Sequence, residues 1–445
     1  MRRTEQQPTE RSSTFRPSRR ALFPLVGAAA ALAALAPAAL AGAESSPSGQ
    51  GDSGDVHADG GRAPDRYVYV GTYTAPHIPP GGKVPSTAKG IYVFQMNGAT
   101  GALTPVQTVE NVENPSWVTL DPQLRNLYAS SEVDTTWKGV PHSGGLTAYA
   151  VDAATGKLSL INDQATQGAI PAHVTVDPTG KYALVANYIG ANFAVLPIRP
   201  NGGLQPASDI VPVTGSGPNL DRQTAPHPHQ ILFNPTGKFV HGPDLGTDKV
   251  WAWTLDLGTG KLVPNALPYA QVASGSGPRH MAFHPSNNFV YVIDEMVSSI
   301  TAFRYGPLAG PNAAPASFIW LQTVSTLPEH FSGSSSTAEI VVHPSGKFVY
   351  GSNRGHDSIV GFTIDQTTGK LSVIGWTLTF GSFGMGNGFP RSFNIDPSGR
   401  LLLVGNQNGN TIVPFRIDQS TGELTPTGHE TSTPTPVSIA FGRPV

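Results

Sequence analysis

From Asp65 onward the chain is a succession of short apolar segments separated by tight polar turns. Lys347-Phe348-Val349-Tyr350-Gly351-Ser352-Asn353 and Ser299-Ile300-Thr301-Ala302-Phe303 alternate or run briefly apolar, the pattern of strands with one or both faces buried. No stretch keeps a helical period. The segments come in groups: a short strand, a turn of the form Asp/His-Pro-x-Gly-Lys, a second strand ending in Asn or Asp, a third strand, then a Thr-Gly-Lys-Leu turn. Proline pre-sets φ in the first turn, and glycine takes the left-handed position that closes it.

The grouping repeats. The first-turn prolines are Pro122, Pro178, Pro235, Pro285, Pro344 and Pro397, spaced 56, 57, 50, 59 and 53 residues apart. The second turn recurs at Gly101, Gly156, Gly260, Gly369 and Gly422. Three or four strands per unit, repeated radially, predict an all-β, seven-bladed β-propeller, since residues 65–445 hold about seven units of about 55 residues. Residues 66–71 read as a second strand whose first strand is missing, and residues 436–441 read as that missing strand. Pairing of the N- and C-terminal strands is expected to close the ring and leave no open edge.

Residues 1–43 read as an export signal. Arg16-Pro17-Ser18-Arg19-Arg20 precedes an Ala/Leu-rich uncharged run with small residues at Ala39-Leu40-Ala41, and the Ser-Arg-Arg element resembles a twin-arginine signal. The competing reading is a membrane anchor, against which stand the Ala-rich composition and Pro24 and Pro37. Residues 44–64, rich in Ser, Gly and Asp, read as a disordered linker. The expected product is an exported, extracellular or cell-surface monomer with no membrane span.

Composition narrows the chemistry. There is no cysteine, which excludes disulfides, thiolate metal sites and cysteine nucleophiles. Lys+Arg number 28 and Asp+Glu 30; without the six Arg and two Glu of residues 1–43 these become 22 and 28, a net charge of −6 that disfavours nucleic acid. Neither HExxH nor Gly-x-Ser-x-Gly occurs, so no metal or cofactor is expected, and direct attack by water is favoured over a serine nucleophile.

Polar residues that break the repeat are the candidates for function: Pro226-His227-Pro228-His229, Gly277-Pro278-Arg279-His280, Asp294-Glu295, Asn353-Arg354-Gly355-His356-Asp357 and Gly388-Phe389-Pro390-Arg391. Arg279 and Arg391 are expected where the second unit carries Trp117 and the third His173. Glu295 is expected where other units carry Asn187, Asp244, Asn353 and Asn406. Arginines gathered near one axis repel unless an anion or Glu295 balances them, and a guanidinium fork suits a carboxylate or phosphate. His229 and Glu295 are then candidate acid and base. The plainer alternatives are surface ion pairs for Arg279 and Arg354, structural hydrogen bonding for His227 and His173, and turn capping for Asp244 and Asp248.

In these stretches, with Ala338-Glu339-Ile340 and Pro390-Arg391-Ser392-Phe393-Asn394, the sequence resembles the seven-bladed lactonase family. That family includes propeller 6-phosphogluconolactonases and the fungal carboxy-cis,cis-muconate cyclase. The resemblance covers roughly residues 66–443. It implies a site of one His, one Glu and two Arg, matching His229, Glu295, Arg279 and Arg354, with His227, His280, Asn353 and Arg391 as substrate-binding candidates. It implies hydrolysis of an anionic or sugar-derived lactone, with the roles of His229 and Glu295 open. The alternatives are a lactone-forming cyclase and a non-catalytic secreted propeller that binds a ligand or wall polymer. The export signal and the insertions at 74–89, 134–143 and 304–317 set this chain apart within the resemblance and leave its substrate open.

Overall fold

The structure, a computed structural model, describes residues 63–75, 86–306, 316–379 and 388–445. Seven sheets of four main-path strands follow one another, as the repeat predicts, and the seventh carries a short extra strand. The fifth blade is typical: Pro278–Phe283, Phe289–Asp294, Ser299–Gly306 and Ser317–Ser325 pair in chain order, all antiparallel. The first blade is the exception. Its innermost strand is Pro436–Pro444, which pairs with Arg66–Thr72 in the register Val68↔Phe441, Tyr69↔Ala440 and Val70↔Ile439. The ends therefore close the ring as expected. The packed domain starts slightly before the expected boundary, since Ala63 is already buried beside Val68 and Phe441. The export signal and most of the linker, residues 1–62, lie outside the described residues, as do parts of the insertions at 74–89 and 304–317. The insertion at 134–143 forms a small hairpin, Thr136–Trp137 with Val140–Pro141.

Repeated residues build the blades. In the first turn Asp177 Oδ1 accepts the backbone N–H groups of Lys181 and Tyr182, and Asp396 Oδ1 those of Arg400 and Leu401. Gly180 closes its turn at φ 73°, where a Cβ is costly. Neighbouring blades are tied by a recurring tyrosine. Tyr69, Tyr128, Tyr291 and Tyr350 donate their hydroxyls to Gly156, Gly202, Gly369 and Gly422 in the turn of the following blade, at 3.0, 3.0, 3.1 and 2.7 Å. Between blades lie apolar clusters; Tyr291, Ile293 and Ile300 of the fifth, for example, meet Ile340, Val349 and Phe362 of the sixth. A closed ring results, and its innermost strands carry polar side chains that break the repeat.

Candidate active site

Two layers of residues from different blades come together around Glu295. The first is the position just after the second strand's terminal Asn, Asp or small polar residue. Glu132, Tyr188, Leu245, Glu295 and Gln407 share it, each donating its backbone N–H to the loop before its own blade's innermost strand. Arg354 is the sixth blade's counterpart, one residue beyond Asn353, which pairs with Thr337. The second layer comes from β-bulges in the innermost strands. The register slips between Pro171 and His173, Pro278 and His280, and Pro390 and Ser392, so Ala172, Arg279 and Arg391 are the extra residues. His229 occupies the same place in the fourth blade, between the Pro228↔Asp244 bridge and the Leu232↔His241 pair. A bulge re-aims the inserted side chain, here out of the sheet plane and toward the shared site.

This geometry corrects two alignments made from sequence. Arg279 is level with Ala172, not His173; His173 is level with His280, their ring centroids 5.6 Å apart and 4.3 and 5.4 Å from that of Trp117. Likewise Glu295 is level with Tyr188 and Arg354, while Asn187, Asn353 and Asn406 are level with Asp294. The asparagines hold blades together. Asn353 Nδ2 donates to Thr326 O at 2.7 Å, as Asn187 does to Thr166 O and Asn406 to Thr379 O. Asn353, expected to bind substrate, is therefore committed to the fold. Asp244 and Asp248 cap turns: Asp244 Oδ1 accepts from His227 N and Gly246 N, and Asp248 from Gly275 N and Gly277 N.

Glu295 is the centre of the site, 4% exposed. Its Oε2 lies 3.1 Å from Arg279 Nε and 3.0 Å from Arg354 Nη2, and its Oε1 accepts from Arg222 Nη2 at 2.7 Å. Burial works against its charge, but Arg354, Arg279 and Arg222 outweigh it and hold the carboxyl down at about 2. Arg279 and Arg354 are both buried, which excludes the surface ion-pair reading. Arg279 Nη1 also donates to Ala338 O and Arg354 Nη2 to Thr337 O, each at 2.6 Å. Burial and the neighbouring Arg391 and Arg354 pull the Arg279 guanidinium down to about 9. Arg222 was missed from sequence. It sits in the non-repeated loop before the fourth blade, so no unit offers a counterpart to flag it.

Arg391 lies 5.3 Å over the Tyr73 ring and makes no side-chain hydrogen bond to a described residue. Beside it, Tyr73 donates to both oxygens of buried Glu132 at 3.0 Å. Burial opposes the Arg391 charge, yet Tyr73, Glu132 and Glu295 keep it on. Tyr73, Glu132 and Tyr188 were also missed, though each stands one residue past a strand end, as Glu295 does. His227 stacks on Tyr188, ring centroids 4.5 Å apart, and its Nδ1 lies 3.1 Å from Tyr188 O.

His229 and His280 are buried together. His229 Nδ1 lies 3.2 Å from His280 Nε2, and His280 Nδ1 lies 2.8 Å from Glu339 Oε1. Burial first, then Arg279, hold both imidazoles well below the usual histidine range, so each is neutral near pH 7. His280, expected to touch substrate, is fully buried behind His229 instead. Glu339 is pushed by burial up to about 7. Among the described residues no cluster of acidic residues and histidines is arranged to hold a metal, and no helix is long and apolar enough to cross a membrane.

Comparison with known proteins agrees with this architecture. Residues 67–441 match the family model described as lactonase, 7-bladed β-propeller. The chain is 34% identical over 377 residues to the 6-phosphogluconolactonase of Bacillus subtilis, covering 84% of this chain and 98% of that protein. It is 33% identical over 362 residues to the 6-phosphogluconolactonase of Formosa agariphila, covering 80% and 94%. The solved structure of the periplasmic gluconolactonase of Pseudomonas aeruginosa superposes with a TM-score of 0.74 at 27% identity, covering 86% of this chain and all of that one. The chain belongs to the seven-bladed β-propeller lactonase family.

Proposed function

We propose that this protein hydrolyses an anionic, sugar-derived lactone at the channel mouth, with His229 as the base. The observation that carries this reading is an imbalance of charge around two buried arginines, Arg279 and Arg354, and two half-buried ones, Arg222 and Arg391. Arg222, Arg279 and Arg354 meet there on the one carboxylate of Glu295, and Arg391, over the Tyr73 ring, has no hydrogen-bonded counter-ion among the described residues. A cation drawn partly out of water without a counter-ion is costly, and a bound anion offsets that cost. Arg391 would take the substrate's phosphate or carboxylate, and Arg279 and Arg354 the negative charge that grows on the carbonyl oxygen.

The same geometry supports a choice of base, which the sequence left open. A carboxylate held by three guanidiniums is a poor proton acceptor, so Glu295 orients the arginines. Neutral His229 takes the proton of the attacking water, and the ring oxygen receives a proton as the C–O bond breaks. The relatives' names support the lactone class, and the periplasmic neighbour supports export. Purified protein assayed with 6-phosphogluconolactone, gluconolactone and carboxymuconolactone tests the reaction, with faster turnover of the charged lactones the expected result. Tight anion binding with no turnover in either direction would instead favour a binding propeller. Exchange of Arg19 and Arg20 for Lys, followed by cell fractionation, tests the twin-arginine route; loss of export is expected.

A further inference from the structure

We infer that His280 and Glu339 are positioning residues that point the lone pair of His229 Nε2 at substrate, and that Glu339 is where the abstracted proton comes to rest. This rests on His229 being the base. The geometry begins at a backbone group. Ile340 N–H donates to Glu339 Oε1 at 3.0 Å, and the same oxygen faces His280 Nδ1 at 2.8 Å. A backbone N–H can only donate, so with Glu339 ionised its Oε1 accepts from both, and His280 carries its hydrogen on Nδ1. His280 Nε2 is then an acceptor, and His229 must donate to it from Nδ1 across 3.2 Å. That leaves a lone pair on His229 Nε2, which has no other residue as a partner among the described residues.

The arrangement departs from the repeat in a telling way. In other blades the side chain level with His280 caps the next blade directly: Gln230 Oε1 accepts Met281 N–H at 2.8 Å, and Ser438 Oγ accepts Val118 N–H at 3.0 Å. Between the fifth and sixth blades Glu339 caps Ile340 itself. His280 is thereby released to link Glu339 to His229.

The proton path balances. Water adds to the lactone carbonyl carbon and gives a proton to His229 Nε2. The Nδ1 proton of His229 passes to His280 Nε2, and the Nδ1 proton of His280 passes to Glu339. One carboxylate is neutralised, one oxyanion is formed, and no imidazolium is left among the arginines. Collapse of the oxyanion breaks the ring C–O bond, and the proton returns along the same path to the departing oxygen. Facing this path are Arg279 from the fifth blade, Arg391 from the seventh, Arg354 and Glu295 at the strand ends, and His173 and Tyr188 from the third. Those arginines disfavour a cationic histidine, while burial holds the Glu339 carboxyl near 7, where it can take and return a proton.

Glu339→Gln is the test. Its amide oxygen can keep both accepted hydrogen bonds, so His229 stays oriented, but it cannot take the proton. The expectation is kcat lower by about 100-fold with KM unchanged. The acid limb of kcat/KM should move from about 7 to lower pH, because the base is now the histidine pair. Wild-type kcat with an unmoved limb overturns the inference. Nitrogen-15 histidine and carbon-13 carboxyl NMR of the wild-type protein provide a reading that needs neither the variant nor turnover. His229 should be the Nδ1–H tautomer at pH 8, and Glu339 should titrate near 7. An Nε2–H tautomer, or a Glu339 that titrates in the ordinary carboxyl range, overturns it equally. A wild type that turns over no lactone would sink the proposed function while leaving this NMR result to decide the relay.

Discussion

Two buried glutamates on adjacent blades, Glu295 and Glu339, are each 4% exposed, yet they sit in opposite electrostatic settings. Glu295 touches three guanidiniums and is held at about 2; Glu339 touches one imidazole and one backbone N–H and is pushed to about 7. Burial raises both, so burial cannot be what separates them. The difference is the direct ionic contact, which one has and the other lacks. Pairs of titratable groups driven apart in this way mark the division of labour in a site. The arginine clasp is charged at neutral pH, and in the proposed mechanism the histidine chain is the part that moves a proton.

The comparison can be broken first at the clasp. Arg279→Ala removes a contact to Glu295 and the charge facing the carbonyl oxygen, and kcat/KM for lactone hydrolysis should fall about 1,000-fold. A fall of less than tenfold would take Arg279 out of the machinery. His229→Gln attacks the other half. It should lower kcat by about 100-fold or more, with KM little changed, in the same assay. Arg391→Ala separates substrate binding from both. It should raise KM about 10- to 100-fold for a phosphorylated lactone and leave that for neutral gluconolactone nearly unchanged, as initial rates on the two substrates would report. An equal rise for both would move the anion site elsewhere.

Stability against pH sharpens the comparison further. The folded pKa of Glu295 is depressed, so its ion pairs stabilise the fold fully above the ordinary glutamate range. That contribution is lost as pH falls from about 4.5 toward 2. Glu295→Gln should remove this part of the acid transition, an effect on the order of 2–3 kcal/mol in urea melts compared at pH 6 and pH 3. The smallest effect is expected at the rim. The Arg222 side chain is 35% exposed, and Arg222→Ala should cost only a few-fold in kcat/KM.

The sequence by itself determined the ring. Turn prolines recur every 50 to 59 residues, with turn glycines in step, because each blade must bend at the same two places, and the orphan strands at 66–71 and 436–441 announce how the ring closes. It also marked His229, Arg279, Glu295, Arg354 and Arg391 as departures from the repeat. Tertiary structure decided which side chains meet Glu295 and His229. The bulges at Arg279 and Arg391 shift the alignment by one residue, and a one-residue slip in a strand turns a side chain to the other face. That is why Asn353 proved to be a blade-building residue, His280 a buried link, and Tyr73, Glu132 and Tyr188 members of the site. Arg222, and the partner of Glu339, became legible only when loop and blade met Glu295 and His280 across 73 and 59 residues of chain. Repetition is a local property written along the chain; a charge's partners are set by what folding brings beside it, and here they come from different blades.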